Sequence, residues 1–364
     1  MSKDKYAEDI LAILNIARWA PSGDNAQPWS FEILDSDTLR IYLKINTENV
    51  YEYNQGQPSL LSCGALIENI RLTAANHGRA CHIKPLDIQQ ELIKIDLSLP
   101  LDTEVKEDPL FYYIQARSVD RTPFQTKTLP DYVLEDLEDC MGRDIEVQWY
   151  ASFRKKLTVA SINMTSTDIR LKIPETYTCH RDVLDWNNKF SPYGIPMAST
   201  GLSRLSLIAM KWAMARRSRL NFMNRYFCGT FIPKIELDLM PGLFCDRHFM
   251  LSFTQKKDHY EILDFINAGS ALQRFWLTAT KHNIAMQPSV ATLSFCYYGL
   301  NQQPFTVDEA CQKKAKTLYK KFTKNADKPL EQIVFMGRVG YSKSTKTSRS
   351  RSIRKELPDL MHKA

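Results

Sequence analysis

Ile10, Leu11, Ile13, Leu14 and Ala17 recur at steps of three and four. That spacing predicts a helix from near Tyr6 which stops before Pro21, because a residue preceding proline is pushed out of the helical region. Trp29, Phe31, Ile33 and Leu34 then open a strand, and Leu39 to Leu43 alternates as a second. From Leu60 the pattern is helical but apolar on more than one side, through Leu61, Ala65, Leu66, Ile70, Leu72 and Ala75. This helix is read as buried between layers and ended by Gly78. Ile83 to Leu86 and Leu92 to Leu97 read as strands, and a hydrophilic crossing from Asp102 to Asp108 closes a first unit near residue 110. A second unit opens at Tyr113, with a helix over Asp131 to Cys140, a strand at Glu146 to Tyr150 and a long helix over Arg154 to Ile169. Phe249 to Phe253 reads as a strand, Ile266 to Asn283 as a long helix, Val307 to Lys324 as a basic helix and Ile333 to Met336 as a strand. The chain then runs through Gly337-Arg338-Val339-Gly340-Tyr341 into a Ser/Arg tail.

Two departures from this regularity matter. Between about 173 and 245 the periodicity breaks down, and Trp186, Phe190, Tyr193, Trp212, Phe222, Tyr226 and Phe227 are scattered among Pro, Gly, Met and basic residues. This region is read as an insertion that folds over something. Secondly, the two long helices align without a gap over fifteen residues when Gly269 is set against Gly64. Gly64/Gly269, Leu72/Leu277, Thr73/Thr278, Ala74/Ala279 and His77/His282 are identical. The match falls at the same place in each unit, which favours an internal duplication with units at 1–112 and 113–364, a spacing far longer than any solenoid repeat.

Composition narrows the class. The 364 residues suffice for two domains or one with a large insertion. The formal charge of +7 is mildly basic and concentrated in the last fifty residues and in Lys211 to Arg225. It does not by itself argue for nucleic acid, and a phosphate-bearing cofactor serves equally well. Eight scattered cysteines, without Cys-x-x-Cys, predict neither a zinc site nor disulfides. No signal peptide is legible at the N-terminus, and the most apolar run, Leu205 to Ala215, is too short for a span and contains Lys211. A cytoplasmic protein with no membrane partner is the expectation.

The candidate chemistry gathers in Pro21-Ser22-Gly23-Asp24-Asn25-Ala26-Gln27-Pro28-Trp29. These loop residues tolerate unusual backbone angles and present short polar groups and backbone N–H donors, which suits a small polar or anionic ligand; a generic helix-to-strand connection uses the same residues. The pattern Pro-Ser-x-x-Asn-x-Gln-Pro-Trp resembles the loop of the nitroreductase family that borders the isoalloxazine ring of FMN. Arg117-Ser118-Val119-Asp120-Arg121 resembles the Arg-Ser-x-Arg opening of the same family, with one extra residue before Arg121. The first unit holds only the loop and the second only the arginine opening. The layout is similar to the two-domain, Acg-type branch. It implies an α+β, nitroreductase-like fold whose two tandem units form a single-chain pseudo-dimer, functional as a monomer, with one composite FMN site and an inserted lid-like region.

On that resemblance the cofactor-binding residues are Pro21, Ser22, Gly23, Asn25 and Gln27 at the ring, and Arg117, Ser118 and Arg121 at the phosphate. Gln287, Pro288 and Ser289 follow the second long helix near the ring's N5, and Arg351 and Arg354 of the tail return to the phosphate. Gln287-Pro288-Ser289 reads equally as a simple helix-exit turn, and the tail as a disordered charge run. Trp186 and Tyr193 are candidate lid residues, with ordinary core aromatics as the other reading. Flavin chemistry requires no protein nucleophile or metal, and no hydrolase or phosphate-loop signature is present. The implied activity is transfer of hydride from NADH or NADPH to a small electrophilic acceptor, nitroaromatic or quinone. Two alternatives stay open: a flavin-sequestering protein without turnover, and a basic interaction protein using Lys211 to Arg225 and the tail.

Overall fold

The computed structural model describes residues 3–89, 91–226, 229–343 and 350–363. The first sheet is built from β1 (Trp29–Ile33), β2 (Thr38–Lys44), β3 (His82–Ile83), β4 (Asp87–Gln89) and β5 (Leu92–Ser98), following α1 (Lys3–Ala17) and enclosing α2 (Gln57–Asn76) in sequence. After a short turn over Pro109–Tyr113 come α3 (Asp131–Asp139), β6 (Ile145–Tyr150), α4 (Phe153–Arg170) and α5 (Pro174–Val183). Next are β7 (Leu184–Asp185), β8 (Phe190–Ser191), β9 (Ile195–Pro196), α6 (Arg204–Met214), α7 (Arg217–Tyr226), α8 (Phe231–Lys234) and α9 (Met240–Leu243). The chain continues through β10 (Arg247–Phe253), α10 (Ile262–Lys281), β11 (Ile284–Pro288), α11 (Val290–Asn301), α12 (Glu309–Thr323) and β12 (Ile333–Tyr341), and ends with β13 (Arg351–Ser352) and α13 (Leu357–Leu360).

The first sheet runs β1-β2-β5-β3, with β4 also on β5, and the second runs β6-β10-β12-β11; every pair is antiparallel. Leaving β4 aside, both sheets place their strands in the order first, second, fourth, third, and both put their long helix between second and third. The two long helices, α2 and α10, share one apolar core with both sheets, through Leu61, Leu66 and Ile70 on one and Ile266, Phe275 and Ala279 on the other. A Cβ on Gly64 would fall 1.8 Å from the Ile266 carbonyl oxygen, and one on Gly269 would fall 2.2 Å from that of Leu61. In the alignment that sets Gly64 against Gly269, Leu61 falls on Ile266, so each contact is the image of the other. The polar pairs repeat the relation. Gln273 Nε2 donates to Asn69 Oδ1 at 2.7 Å and Arg274 Nη1 to Glu68 Oε1 at 2.9 Å, and Glu68 aligns with Gln273, Asn69 with Arg274.

Several expectations shift on contact with the tertiary structure. Leu86 lies outside any strand. Gln287 and Pro288 belong to β11, and Ser289 precedes α11, so this segment is not a helix-exit turn. β12 runs on to Tyr341, beyond the expected Met336, because Gly337 and Gly340 let the Gln287 carbonyl, Phe249 and Phe124 approach where a Cβ would intrude at 2.5–3.0 Å. The connection between β6 and β10 occupies 151–246, against 34–37 for β1 to β2. The stretch between about 173 and 245 lies within this connection, after α4. It is mostly helical despite its irregular pattern, and a buried acid ties it down. Asp168 accepts from Lys172 at 2.9 Å, Lys234 at 3.1 Å and Thr230 at 2.7 Å, and from Lys314 of α12, which holds its carboxyl far below the usual range against the opposing effect of burial.

Of the Ser/Arg tail, 344–349 lie outside the described residues. Over 350–363, β13 pairs in parallel with β8 of the insertion, and Met361 bridges Phe31 at the edge of the first sheet. Among the described residues no helix is long and apolar enough to cross a membrane.

Candidate functional site

Helix α1 ends at Ala17, and the four residues that follow turn the chain toward the loop. Asp24, Asn25 and Gln27 all hold positive φ, at 50°, 60° and 51°. Each such residue costs on the order of 1 kcal/mol, and such strain is characteristic of ligand-binding loops. The loop persists because it is tied on both sides. The Gln27 N–H donates to Ser22 Oγ at 2.9 Å, Asn25 Nδ2 donates to the carbonyls of Ile353 at 3.0 Å and Pro192 at 3.2 Å, and Gln27 Nε2 donates to Pro192 O at 3.0 Å. The Lys355 N–H returns a bond to Gln27 Oε1 at 2.9 Å. The loop, the insertion and the tail thus meet here. Gly23 has open space around its Cβ position, and Asn25 Oδ1 is buried without a partner.

Against one flank of this loop stand four arginines. Arg354 Nε donates to the Ala20 carbonyl at 2.8 Å, Arg117 Nη2 to that of Trp19 at 3.2 Å, and Arg18 pairs with Glu356 at 3.0 Å. Arg351 lies over the Trp19 ring at 5.2 Å and donates to Gln115 O at 2.9 Å, while Arg117 lies over Trp276 at 4.6 Å. The Trp19 and Ala20 carbonyls, just past the end of α1, accept from these cations. They do not neutralise four of them. Among the described residues Glu356, itself largely exposed, is the one carboxylate paired with this group. Burial, then Arg354 and Arg351, push Arg117 well below the usual guanidinium range; burial, then Arg351 and Arg18, bring Arg354 down to about 9. The Nε groups of Arg117 and Arg351 are buried with no acceptor. Crowded, desolvated guanidiniums with unused donors are what an anion such as a phosphate would satisfy.

On the other flank the charges are mixed. Burial raises Asp24, with Arg121 and Arg170 opposing it, and lowers Arg121. Burial also lifts Asp238 to about 6 against the pull of Arg170, and drops His180 to about 3, with Arg170 adding to the effect. Tyr51 Oη lies 3.1 Å from His180 Nε2. Arg170 Nε and Asp238 Oδ2 are buried and unpartnered. Insertion residues close this flank: Arg121 Nη1 donates to Ser199 O at 3.4 Å, and Gly201 packs on the Arg121 carbonyl, where a Cβ would fall at 2.8 Å. Burial also brings Arg338 down to about 10. Its Nε donates to Gln287 Oε1 at 2.7 Å and its Nη2 to Thr122 O at 2.8 Å.

Most of the residues picked out from the sequence form two contact groups. Ser22, Asn25, Gln27 and Arg354 meet through the loop and tail, with Arg117 joined to them at the Trp19 carbonyl. Val119 bridges Met286, which brings 117–121 against the strand holding Gln287 and Pro288, with Ser289 next to it. The Ser118 hydroxyl donates to its neighbour's carbonyl, Val119 O, at 3.4 Å. Pro21 shapes the turn. Arg117, Arg351 and Arg354 crowd together, while the charged neighbours of Arg121 are Asp24, Arg170 and Asp120. Arg18, Tyr51, Arg170, His180, Asp238 and Arg338 were not singled out as site residues. Only Arg18, beside the loop, and Arg338, between two glycines, carried any local hint.

No family profile matches the chain, and no curated protein does. Among solved structures it aligns with a nitroreductase-like family protein from Bacillus cereus at 10% identity, over 71% of this chain and 97% of that one, with a TM-score of 0.35. It also aligns with the FMN-dependent nitroreductase NfnB from Mycobacterium smegmatis, solved in complex with NADPH, at 12% identity, over 69% of this chain and 96% of that one, again with a TM-score of 0.35. At that level of likeness, the functional reading rests on this chain's own side chains.

Proposed function

We propose that this chain binds FMN between its two halves and acts as an NAD(P)H oxidoreductase on a small electrophilic acceptor of nitroaromatic or quinone type. The observation that carries the reading is the crowded arginine group, drawn from residues before, between and after the two sheets, with buried donors left over beside a strained polar loop. Arg117, Arg351 and Arg354 would hold the phosphate, with Ser118 as a neutral donor. Ser22, Gly23 and Asn25 would face the ring edge where reduced flavin gathers negative charge, and Gln287, Pro288 and Ser289 would border its other side. Arg121, paired electrostatically with Asp24, is assigned to the ring flank. Bound flavin supplies the hydride exchange. The chain's part is to grip, orient and exclude water.

The two halves are read as tandem units of a pseudo-dimer. The reciprocal contacts of Gly64 and Gly269, and of the 68–69 and 273–274 pairs, are the relation expected of a self-complementary interface. One flavin per chain in a monomer is the corresponding stoichiometry, checked by sedimentation with absorbance at the flavin band. The test of function is the visible spectrum of freshly purified protein, identification of the released chromophore, and anaerobic mixing with NADH and NADPH. A colourless protein that refuses added FMN ends the proposal. A flavin-sequestering role has one observation of its own, since Pro192 and Ile353 already engage the Asn25 amide and close over the loop. Bound flavin that neither nicotinamide bleaches would select it.

A further inference from the structure

From Trp186 to Ile235 the chain carries eight lysines and arginines and no aspartate or glutamate. That segment's formal +8 exceeds the +7 of the entire chain, so the remaining residues sum to −1. Two of its cations are engaged internally: Arg217 donates to the carbonyls of Lys172 at 3.1 Å and Ile173 at 3.3 Å, and Lys234 pairs with Asp168. Five of the others, Arg204, Lys211, Arg216, Arg219 and Arg225, lie on α6, on α7 or between them, two helices that leave apolar side chains exposed. In α6, Ala213 and Met214 turn inward, while Leu205, Ile208 and Trp212, at steps of three and four, are 80%, 68% and 46% exposed. The adjoining α7 has no buried residue and presents Phe222 and Tyr226, 48% and 63% exposed, one turn apart. Arg219 lies over the Trp212 ring at 5.1 Å and Arg225 over Tyr226 at 5.5 Å, so charge and apolar surface are interleaved. A single exposed leucine is ordinary, but five large apolar side chains on two packed helices form a patch that calls for an occupant.

Charge decides which occupant. A second copy would set like charge against like, six cations from Arg204, Lys211, Arg216, Arg217, Arg219 and Arg225 on each side of a self-complementary contact. Nucleic acid would satisfy the cations but leave Leu205 and Ile208 against phosphate and water. An anionic bilayer satisfies both: lysine and arginine reach headgroups while leucine, isoleucine and phenylalanine enter the acyl boundary, and Trp and Tyr suit the interface itself. We propose that the α6–α7 hairpin is a docking surface for an anionic phospholipid membrane, lying in its interface. Such a helix needs no membrane-spanning length, and the proposal does not depend on the flavin reading.

The test is flotation of the full chain with phosphatidylcholine vesicles prepared with and without phosphatidylglycerol. Binding is expected only to the anionic vesicles, weakening as salt rises. The double substitution Leu205→Ser with Ile208→Ser, and separately Arg216→Gln with Arg225→Gln and Lys211→Gln, are each expected to reduce it, the triple charge change by on the order of a hundredfold. All five positions are exposed, and unchanged circular dichroism confirms folding. Brominated lipids should quench tryptophan emission in the wild type and less in Trp212→Phe. Failure to bind anionic vesicles, binding untouched by either set of substitutions, tighter binding to DNA or RNA than to vesicles, or a dimer that Leu205→Ser dissolves would each overturn the proposal.

Discussion

Among the described residues, Arg117 donates to the Trp19 carbonyl and lies over the Trp276 ring while two other guanidiniums crowd it. Arg117→Gln removes a repulsive charge along with one bond, so the protein without flavin is expected to melt within about 2 °C of wild type, the bond and the repulsion offsetting each other. FMN affinity should fall by roughly tenfold to a hundredfold, as for loss of a charge-assisted contact, measured by flavin fluorescence titration. Glu52 offers a test of burial. It accepts from the Ser59 N–H and hydroxyl in the first turn of α2, yet burial outweighs those bonds and lifts its carboxyl from 4.5 to about 7. Its stabilising contribution is complete below pH 4.5 and is lost as pH rises through 7. Relative to Glu52→Gln, wild type should lose at most about 3 kcal/mol over that window in denaturant titrations. His180 and His248, both dropped to about 3 by burial, act oppositely and cost stability as pH falls below 6.5. At this scale the loop was legible because strained backbone selects Ser, Gly, Asp and Asn. Arg170, His180 and Asp238 were not, since a titratable residue in a helix looks the same in sequence whether it meets water or a buried partner.

The helix crossing at Gly64 and Gly269 is the element on which the two halves depend. Gly64→Ala or Gly269→Ala would drive a methyl into a backbone carbonyl that cannot move without its helix. Each is expected to destabilise the fold by about 1–3 kcal/mol or more in chemical denaturation. Gly23→Ala meets open space and is expected to cost less than about 0.5 kcal/mol. Equal effects at the three sites would mean that the close crossing does not hold. Most of the long helices and the strands of the first sheet were read to within a few residues, because burying one face imposes its period on the sequence, while β12 was read five residues short. Helix α11 was missed, being apolar nearly all round. The insertion was read as irregular because α6 and α7 keep apolar residues on their outer faces, which blurs the usual contrast.

Across the molecule, the last described segment links everything. β13 pairs with the insertion, Ile353 accepts from Asn25, Arg354 grips the end of α1, and the His362 N–H donates to Phe31 O at 2.7 Å on the first sheet. Ending the chain after residue 350 removes Arg351 and Arg354 but leaves most of the shared core. The shortened protein is expected to stay folded by circular dichroism and to bind FMN at least about a hundredfold more weakly, two charged contacts being lost. Retained affinity would place the phosphate elsewhere. The sequence by itself determined the long paired helices, the polar loop and the supply of arginines, because periodicity and backbone tolerance are local properties. Only the tertiary structure decided which arginines crowd together, that Arg121 turns to the opposite flank, that the tail threads between insertion and first sheet, and that one basic, apolar face is left bare. Those depend on desolvation and on encounters between residues hundreds of positions apart, which no local pattern records.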